Sequence, residues 1–353
     1  MPAVEAAQAA IALKVSPARL NTSEPFQRVT ERLRDALGRL IGAKPEDVIL
    51  GNSASYGINH LAQGLPLQAG DEVLLVAGDF PATIFPWLVL EERGVDVRQV
   101  RTSGPVLAVD DVRRELGPRT RVVCASWVHS FNGHALDEVA IGGLCRSAGV
   151  LFVLNCSQGV GARPLAVDTL PVDAVAGCGH KYLCGPYGTG YAWIRPEVRE
   201  SMRPTQAYWL SNMTADDLKS GGERGLRRDR GARQLDVMGT ANFLNFMTWT
   251  ASIEYILGVG VDRIGEHDQL LVQRLIDGLS SSDLELVSPR RGASRTTLVV
   301  LESERPGRTA ELFDLLRTGG VDVALRKGRL RVSPHFYNGV DDIDRVLELL
   351  ASS

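Results

Sequence analysis

Short apolar runs separated by amphipathic segments recur along the first two thirds of this chain. Val48-Ile49-Leu50, Glu72–Val76, Val95–Val100, Arg121–Val128, Val150–Leu154, Val172–Ala176 and Gly190–Ile194 each predict a strand: they are short, apolar and rich in β-branched residues. Between them the spacing turns helical. Phe26, Val29, Leu33, Leu37 and Leu40 form one face behind Ser23, a suitable N-cap, and stop at Gly42. Further helices are predicted at Gly57–Leu65, Thr83–Arg93 and Leu136–Ala148. Such alternation argues for an α/β domain with a mainly parallel sheet covered on both faces. From about Ala251 the pattern changes to a long helix, the strand Thr297–Leu301, a helix at Thr309–Leu316, a hairpin over Val321–Val332 and a closing helix at Asp341–Leu350. The expected organisation is an N-terminal segment 1–22, a large domain 23–250 and a smaller C-terminal α+β domain 251–353. A chain of 353 residues is long enough for two cores.

Composition narrows the partners. With 44% hydrophobic and 23% charged residues and a net charge of −3, the chain reads as globular, with no basic excess to attract nucleic acid or an anionic membrane. No apolar run approaches the roughly 20 residues needed to span a bilayer. Met1-Pro2-Ala3-Val4-Glu5 lacks the basic and apolar regions of a signal peptide. The five cysteines, Cys124, Cys145, Cys156, Cys178 and Cys184, show no framework spacing and predict reduced thiols in a cytoplasm.

The candidate chemistry gathers after the strands. Lys181 lies in Gly179-His180-Lys181-Tyr182-Leu183-Cys184-Gly185-Pro186-Tyr187-Gly188-Thr189-Gly190, directly after a predicted strand. A lysine wrapped in glycines at a buried strand end is suited to a desolvated amine, which is what Schiff-base chemistry requires. The plain alternative is a lysine that snorkels from the sheet edge. Gly51-Asn52-Ser53-Ala54-Ser55-Tyr56 joins a strand to a helix, a turn whose free N–H groups and dipole can bind phosphate. No G-x-G-x-x-G opens a helix, which argues against a nicotinamide-binding Rossmann enzyme.

Around Lys181 the chain resembles fold type I pyridoxal-phosphate enzymes of the class V aminotransferase and cysteine desulfurase superfamily. The resemblance covers roughly residues 25 to 340 and implies a mainly parallel seven-stranded sheet and a pyridoxal 5'-phosphate cofactor held covalently by Lys181. It places Ala54 and Ser55 at the phosphate pair, commonly two threonines, and Phe80, where other members carry histidine, on the pyridine face. Ser130, usually asparagine, and Gln158 fall near the phenolic oxygen, with His180 and Cys178, usually serine, at the phosphate. Thr240 matches the threonine that reaches the phosphate of a neighbouring subunit, which implies a homodimer with shared active sites. Arg326, in Val323-Ala324-Leu325-Arg326-Lys327-Gly328-Arg329-Leu330-Arg331-Val332-Ser333-Pro334-His335-Phe336-Tyr337-Asn338, is assigned to the substrate α-carboxylate. The ending Ser-Pro-His-Phe-Tyr-Asn is similar to that of isopenicillin N epimerase and cysteine S-conjugate lyases. Family members also carry a strand and turn ahead of the helix that here begins at Pro2, so the start of the chain reads as shortened.

Asn155 departs most from the family pattern, since an aspartate normally stands there and keeps a proton on the pyridine nitrogen. An asparagine is neutral and can donate or accept but cannot supply the charge. No cysteine follows Cys184, so the mobile thiol of a persulfide-forming desulfurase has no counterpart. The expected reaction is α,β-elimination of an S-substituted cysteine, whose leaving group drains electrons from a weakened sink. Epimerisation, decarboxylation-coupled oxidative deamination and transamination remain open, as does a catalytically silent protein that binds pyridoxal phosphate.

Overall fold

A computed structural model describes residues 2–16, 18, 23–213, 217, 220–221, 228–240, 242–279 and 283–352, with the side chains of 23–26 and 228–230 excepted. The expected cap at Ser23 and the apolar contribution of Phe26 therefore lie outside the described side chains.

Seven strands make the large sheet: β1 (Val48–Gly51), β2 (Glu72–Val76), β3 (Asp96–Val100), β4 (Thr120–Ser126), β5 (Leu151–Asn155), β6 (Ala174–Cys178) and β7 (Gly190–Ile194). Their order is β1-β7-β6-β5-β4-β2-β3. β3, β2, β4, β5 and β6 run parallel, while β7 pairs antiparallel with both β6 and β1. The reversal has a local cause: β6 and β7 are joined by the glycine-rich segment that carries Lys181, which returns the chain to the edge it has just left.

Alternation along the strands explains the two covered faces. Val48 and Leu50, Leu74 and Val76, and Phe152 and Leu154 enter one core, whereas Ile49, Val73, Leu75 and Val153 enter the other. The helices α1 (Pro2–Val15), α2 (Ser23–Ile41), α3 (Ala54–Gly64), α4 (Pro81–Leu88), α5 (Val109–Glu115), α6 (Glu138–Ser147), α7 (Pro196–Ser201), α8 (Trp209–Asn212) and α9 (Phe243–Val259) belong to this part of the chain. Leu33 and Leu37 of α2, Ile141 of α6 and Trp249 and Ile253 of α9 cover the first face. Ile58 and Leu61 of α3 and Trp87 of α4 cover the second.

The single helix expected after Ala251 is two helices. α9 begins earlier, and Gly260, at φ 95°, separates it from α10 (Val261–Gly278). A left-handed glycine cannot continue the helical ladder, so the axis breaks there. Residues 250 and 251 lie inside α9. The helix expected at Thr83–Arg93 divides similarly into α4 and a 3-10 turn at Val89–Arg93.

A second, four-stranded sheet in the order β10-β11-β9-β8 follows, from β8 (Glu285–Leu286), β9 (Val299–Glu302), β10 (Ala324–Arg326) and β11 (Arg329–Val332). α11 (Arg308–Thr318) and α12 (Val340–Ala351) join α10 over its apolar face, with Leu271, Leu275, Leu312, Leu316, Ile343 and Val346 in its core. Among the described residues, no helix is long and apolar enough to cross a membrane.

Candidate active site

The carboxyl ends of β2, β4, β5 and β6 lie side by side, and the residues that follow each strand meet above that edge. β6 delivers Gly179-His180-Lys181. Gly179 N–H donates to Thr189 O at 2.9 Å, Gly185 N–H to Gly179 O at 2.8 Å, and Cys184 N–H to Lys181 O at 2.9 Å. The loop therefore closes on itself and wraps the fully buried Trp249. A Cβ at Gly179 would stand 2.7 Å from the Trp249 ring, and one at Gly185 would collide with the same indole. The glycine frame read in the sequence is a steric demand of this packing.

The Lys181 amine is half-buried, and burial lowers its pKa from the ordinary lysine value; nearby Cys178 opposes the shift and Arg331 adds to it. Its Nζ stands 5.3 Å from the centroid of the Phe80 ring. Phe80 is itself set by the loop after β2: its N–H donates to Asp79 Oδ1 at 2.6 Å, while Asp79 Oδ2 accepts from Ser126 N–H at 2.8 Å. A buried carboxylate thus ties the end of β2 to the end of β4.

Buried Ser130 and Gln158 face each other from the ends of β4 and β5, with Gln158 Nε2 3.3 Å from Ser130 Oγ. Asn155 closes β5, donating through Nδ2 to Thr83 Oγ1 at 2.9 Å and accepting at Oδ1 from Ser157 N–H at 3.1 Å. Cys178 ends β6 opposite Gly190. His180 stacks on Tyr187 with centroids 4.5 Å apart, and burial and then the Lys181 charge lower its pKa.

The turn after β1 fits beside them because a Cβ at Gly190 would overlap the backbone of Ser53. Ser53 caps α3 and takes the Tyr56 N–H at 3.2 Å. The N–H groups of Ala54 and Ser55, in the first turn, have no intrahelical acceptor and can serve an anion.

Two expected residues stand apart. Thr240 is half-buried, and among the described residues no hydrogen bond or ring contact joins it to the cluster. Arg326 is exposed at the hairpin, where its side chain donates to the neighbouring Leu325 carbonyl at 3.0 Å and its charge reaches Arg331. The arginine that β11 brings to Lys181 is Arg331. It is half-buried, donates to Ser130 O at 3.3 Å, keeps a buried Nε without a partner, and has its pKa lowered by burial. Strand alternation is the reason: Leu330 and Val332 are buried in the small-sheet core, which turns Arg331 to the opposite face. That signal was present in the sequence, in an arginine flanked on both sides by core residues. Thr83, Asp79 and His335 also build the site through their hydrogen bonds. Nothing in a one-dimensional pattern marks a polar residue as hydrogen-bonded to another strand end.

The profile of the aminotransferase class-V family matches residues 14–346. The chain belongs to that family. Among its class-V relatives, a protein named "Probable cysteine desulfurase" from Methanothermobacter thermautotrophicus is 27% identical, covering 92% of this chain and 84% of the relative. "Isopenicillin N epimerase" from Amycolatopsis lactamdurans is 28% identical, with coverages of 90% and 83%. A cystine C–S lyase, C-DES, solved with its reaction product cysteine persulfide, superposes with a TM-score of 0.90 at 22% identity over 99% of this chain and 94% of that one. The fold is that of fold type I pyridoxal-phosphate enzymes, and the class-V cofactor is pyridoxal phosphate. The donor set fits it: a desolvated amine, a flat ring beside it, free N–H groups at a helix start and a guanidinium whose buried Nε has no partner.

Proposed function

We propose that this class-V enzyme cleaves the Cβ–S bond of an S-substituted cysteine by α,β-elimination. The observation that carries the proposal is the pairing of a desolvated Lys181 amine with the partly unpaired Arg331 guanidinium at one strand edge.

Pyridoxal phosphate, when bound, supplies an electrophilic carbon for the amino group and a ring that shares the charge released at Cα. In this reading Lys181 would anchor the cofactor, and its amine would take the proton from Cα of the substrate. A lowered pKa suits that task, since more of the amine is a neutral base near pH 7. Arg331 would hold the substrate α-carboxylate through its guanidinium. Phe80 would pack on the ring face, and Ala54, Ser55, Cys178 and His180 would hold the phosphate. Ser130 and Gln158 would stand at the phenolic oxygen. Thr240, detached from its own cluster, is left to reach a partner subunit's phosphate in a homodimer, which sedimentation at micromolar concentration tests directly.

Breaking Cα–H leaves an electron pair that forms the Cα–Cβ double bond as the thiolate departs with the Cβ–S pair. Water then completes the balance to thiol, pyruvate and ammonium. The neutral Asn155 supports elimination, because a ring without a fixed counter-charge stores those electrons poorly. The absence of any cysteine after Cys184 argues for a released thiol over an enzyme-bound persulfide.

Incubation with a panel of cysteine conjugates, following thiol, pyruvate, keto acid, peroxide and loss of chirality, is the test. Stoichiometric thiol and pyruvate support the proposal; a racemised or transaminated product without thiol rejects it in favour of the epimerase- or aminotransferase-type reaction. Borohydride reduction and peptide mapping should place the pyridoxyl group on Lys181.

A further inference from the structure

We infer that Asn155 offers the cofactor's ring nitrogen an N–H donor and not a carbonyl acceptor, and that Thr83 is the positioning residue that sets this orientation. The inference rests on the proposed placement of Asn155 at that nitrogen and adds which end of the amide meets it.

The two ends of the Asn155 amide are distinguished by their partners. Ser157 N–H, a backbone donor, lies 3.1 Å from Oδ1. A flipped amide would set two N–H groups against each other there, so the oxygen belongs on that side. Nδ2 then faces Thr83 Oγ1 at 2.9 Å. Thr83 is fully buried, and its hydroxyl is also 3.2 Å from Ser126 Oγ, so three residues from α4, β4 and β5 form one polar chain. One of the two Nδ2 hydrogens is given to Thr83, which leaves one donor and no free charge.

A carboxylate elsewhere could restore the missing charge, and Asp79 is the one that touches this chain. Both its oxygens are held by backbone N–H groups, Phe80 at 2.6 Å and Ser126 at 2.8 Å. Among the described residues no hydrogen bond joins it to Asn155. The ring nitrogen therefore meets a neutral donor, and a donor is matched by a lone pair. A protonated nitrogen would oppose N–H to N–H. The cofactor is thus held with its nitrogen unprotonated, which disfavours reactions needing long storage of charge on the ring. Substrates whose Cβ group leaves with the electrons are favoured.

The test is the nitrogen resonance of holoenzyme carrying pyridoxal phosphate labelled with 15N in the ring, a readout that needs no turnover. Wild type should show the shift of an unprotonated pyridine, and Asn155→Asp should move it to the pyridinium position. Thr83→Val, close in shape but without an acceptor, should displace or broaden the signal, whereas Thr83→Ser should match wild type. A pyridinium shift in wild type overturns the inference. An unchanged signal in Thr83→Val removes Thr83 from the role. An unchanged signal in Asn155→Asp shows instead that Asn155 is not at the ring nitrogen, which rejects the placement on which the inference rests.

Discussion

His335 Nε2 lies 2.9 Å from the backbone carbonyl of Tyr182, the residue after Lys181. A carbonyl only accepts, so this nitrogen carries the hydrogen. The other, Nδ1, meets Asp268 Oδ2 of α10 at 2.9 Å, and all of this is buried. The segment after β11 is therefore bonded on one side to α10 and on the other to the loop that holds Lys181. Replacing His335 by alanine leaves Asp268 without its partner in a site where Asp268 Oδ1 already has none. We expect a loss of about 3–5 kcal/mol in urea unfolding. The variant should also release pyridoxal phosphate faster than wild type in a dialysis assay.

Arg331 and Arg326 give opposite expectations. Truncating Arg331 to alanine removes a charged donor from a carboxylate, about 1.5–3 kcal/mol, which is roughly ten- to a hundredfold in KM for an amino-acid substrate. Arg326→Ala, which loses an exposed contact to its neighbour's carbonyl, should change KM by less than about twofold. Steady-state kinetics of both variants decides the assignment, and equal effects would count against it.

The Lys181 amine should titrate below an ordinary lysine in the cofactor-free protein, because burial penalises its charge and Arg331 repels it. Acylation of Lys181, followed by mass spectrometry across pH, should show its midpoint below that of exposed lysines. Arg331→Met should raise that midpoint. The same shift acts on stability with a definite sign. Below the folded-state pKa the unfolded and folded chains are both protonated, and the cost of burying the charge is fully present. Between that pKa and the unfolded value near 10.5 the unfolded chain binds more protons, so this contribution becomes less unfavourable as pH rises.

Arg34 and Asp236 form a buried ion pair; Arg34 also donates to the Val48 carbonyl, and Asp236 Oδ1 accepts the Leu50 N–H at 3.0 Å. This pair fastens the segment that leads to Thr240 onto β1. Asp236→Ala strands a buried guanidinium, and we expect a cost of about 3–5 kcal/mol. The double change Arg34→Met with Asp236→Leu should recover much of it. Chemical denaturation of wild type and the two variants checks the order.

Much of the site was legible before any fold was known. Strand ends at Phe80, Ser130, Asn155 and Lys181 could be located because each strand is an apolar run long enough to be buried and short enough to exclude a helix. The glycines around Lys181 were visible too, although their cause, the Trp249 indole, was not. Trp249 lies 68 positions from Lys181 in the chain, and only packing makes it a neighbour.

By itself, then, the sequence determined the order of the sheet strands along the chain, the edge where chemistry gathers, the lysine proposed to anchor the cofactor and the neutral side chain at Asn155. Each of these depends on residue type and on periodicity along one strand or helix, which the chain carries locally. Tertiary structure decided which arginine is enclosed near the lysine, because Arg326 and Arg331 share one face of the hairpin and differ in their place along it: Arg326 sits exposed beside the turn, and Arg331 pairs with Ala324 further from it and is half-buried. It also decided which end of the Asn155 amide is presented. That choice depends on a Ser157 N–H from the next turn and a Thr83 hydroxyl from another helix, and hydrogen-bond direction exists only once those groups have been brought within 3.1 Å.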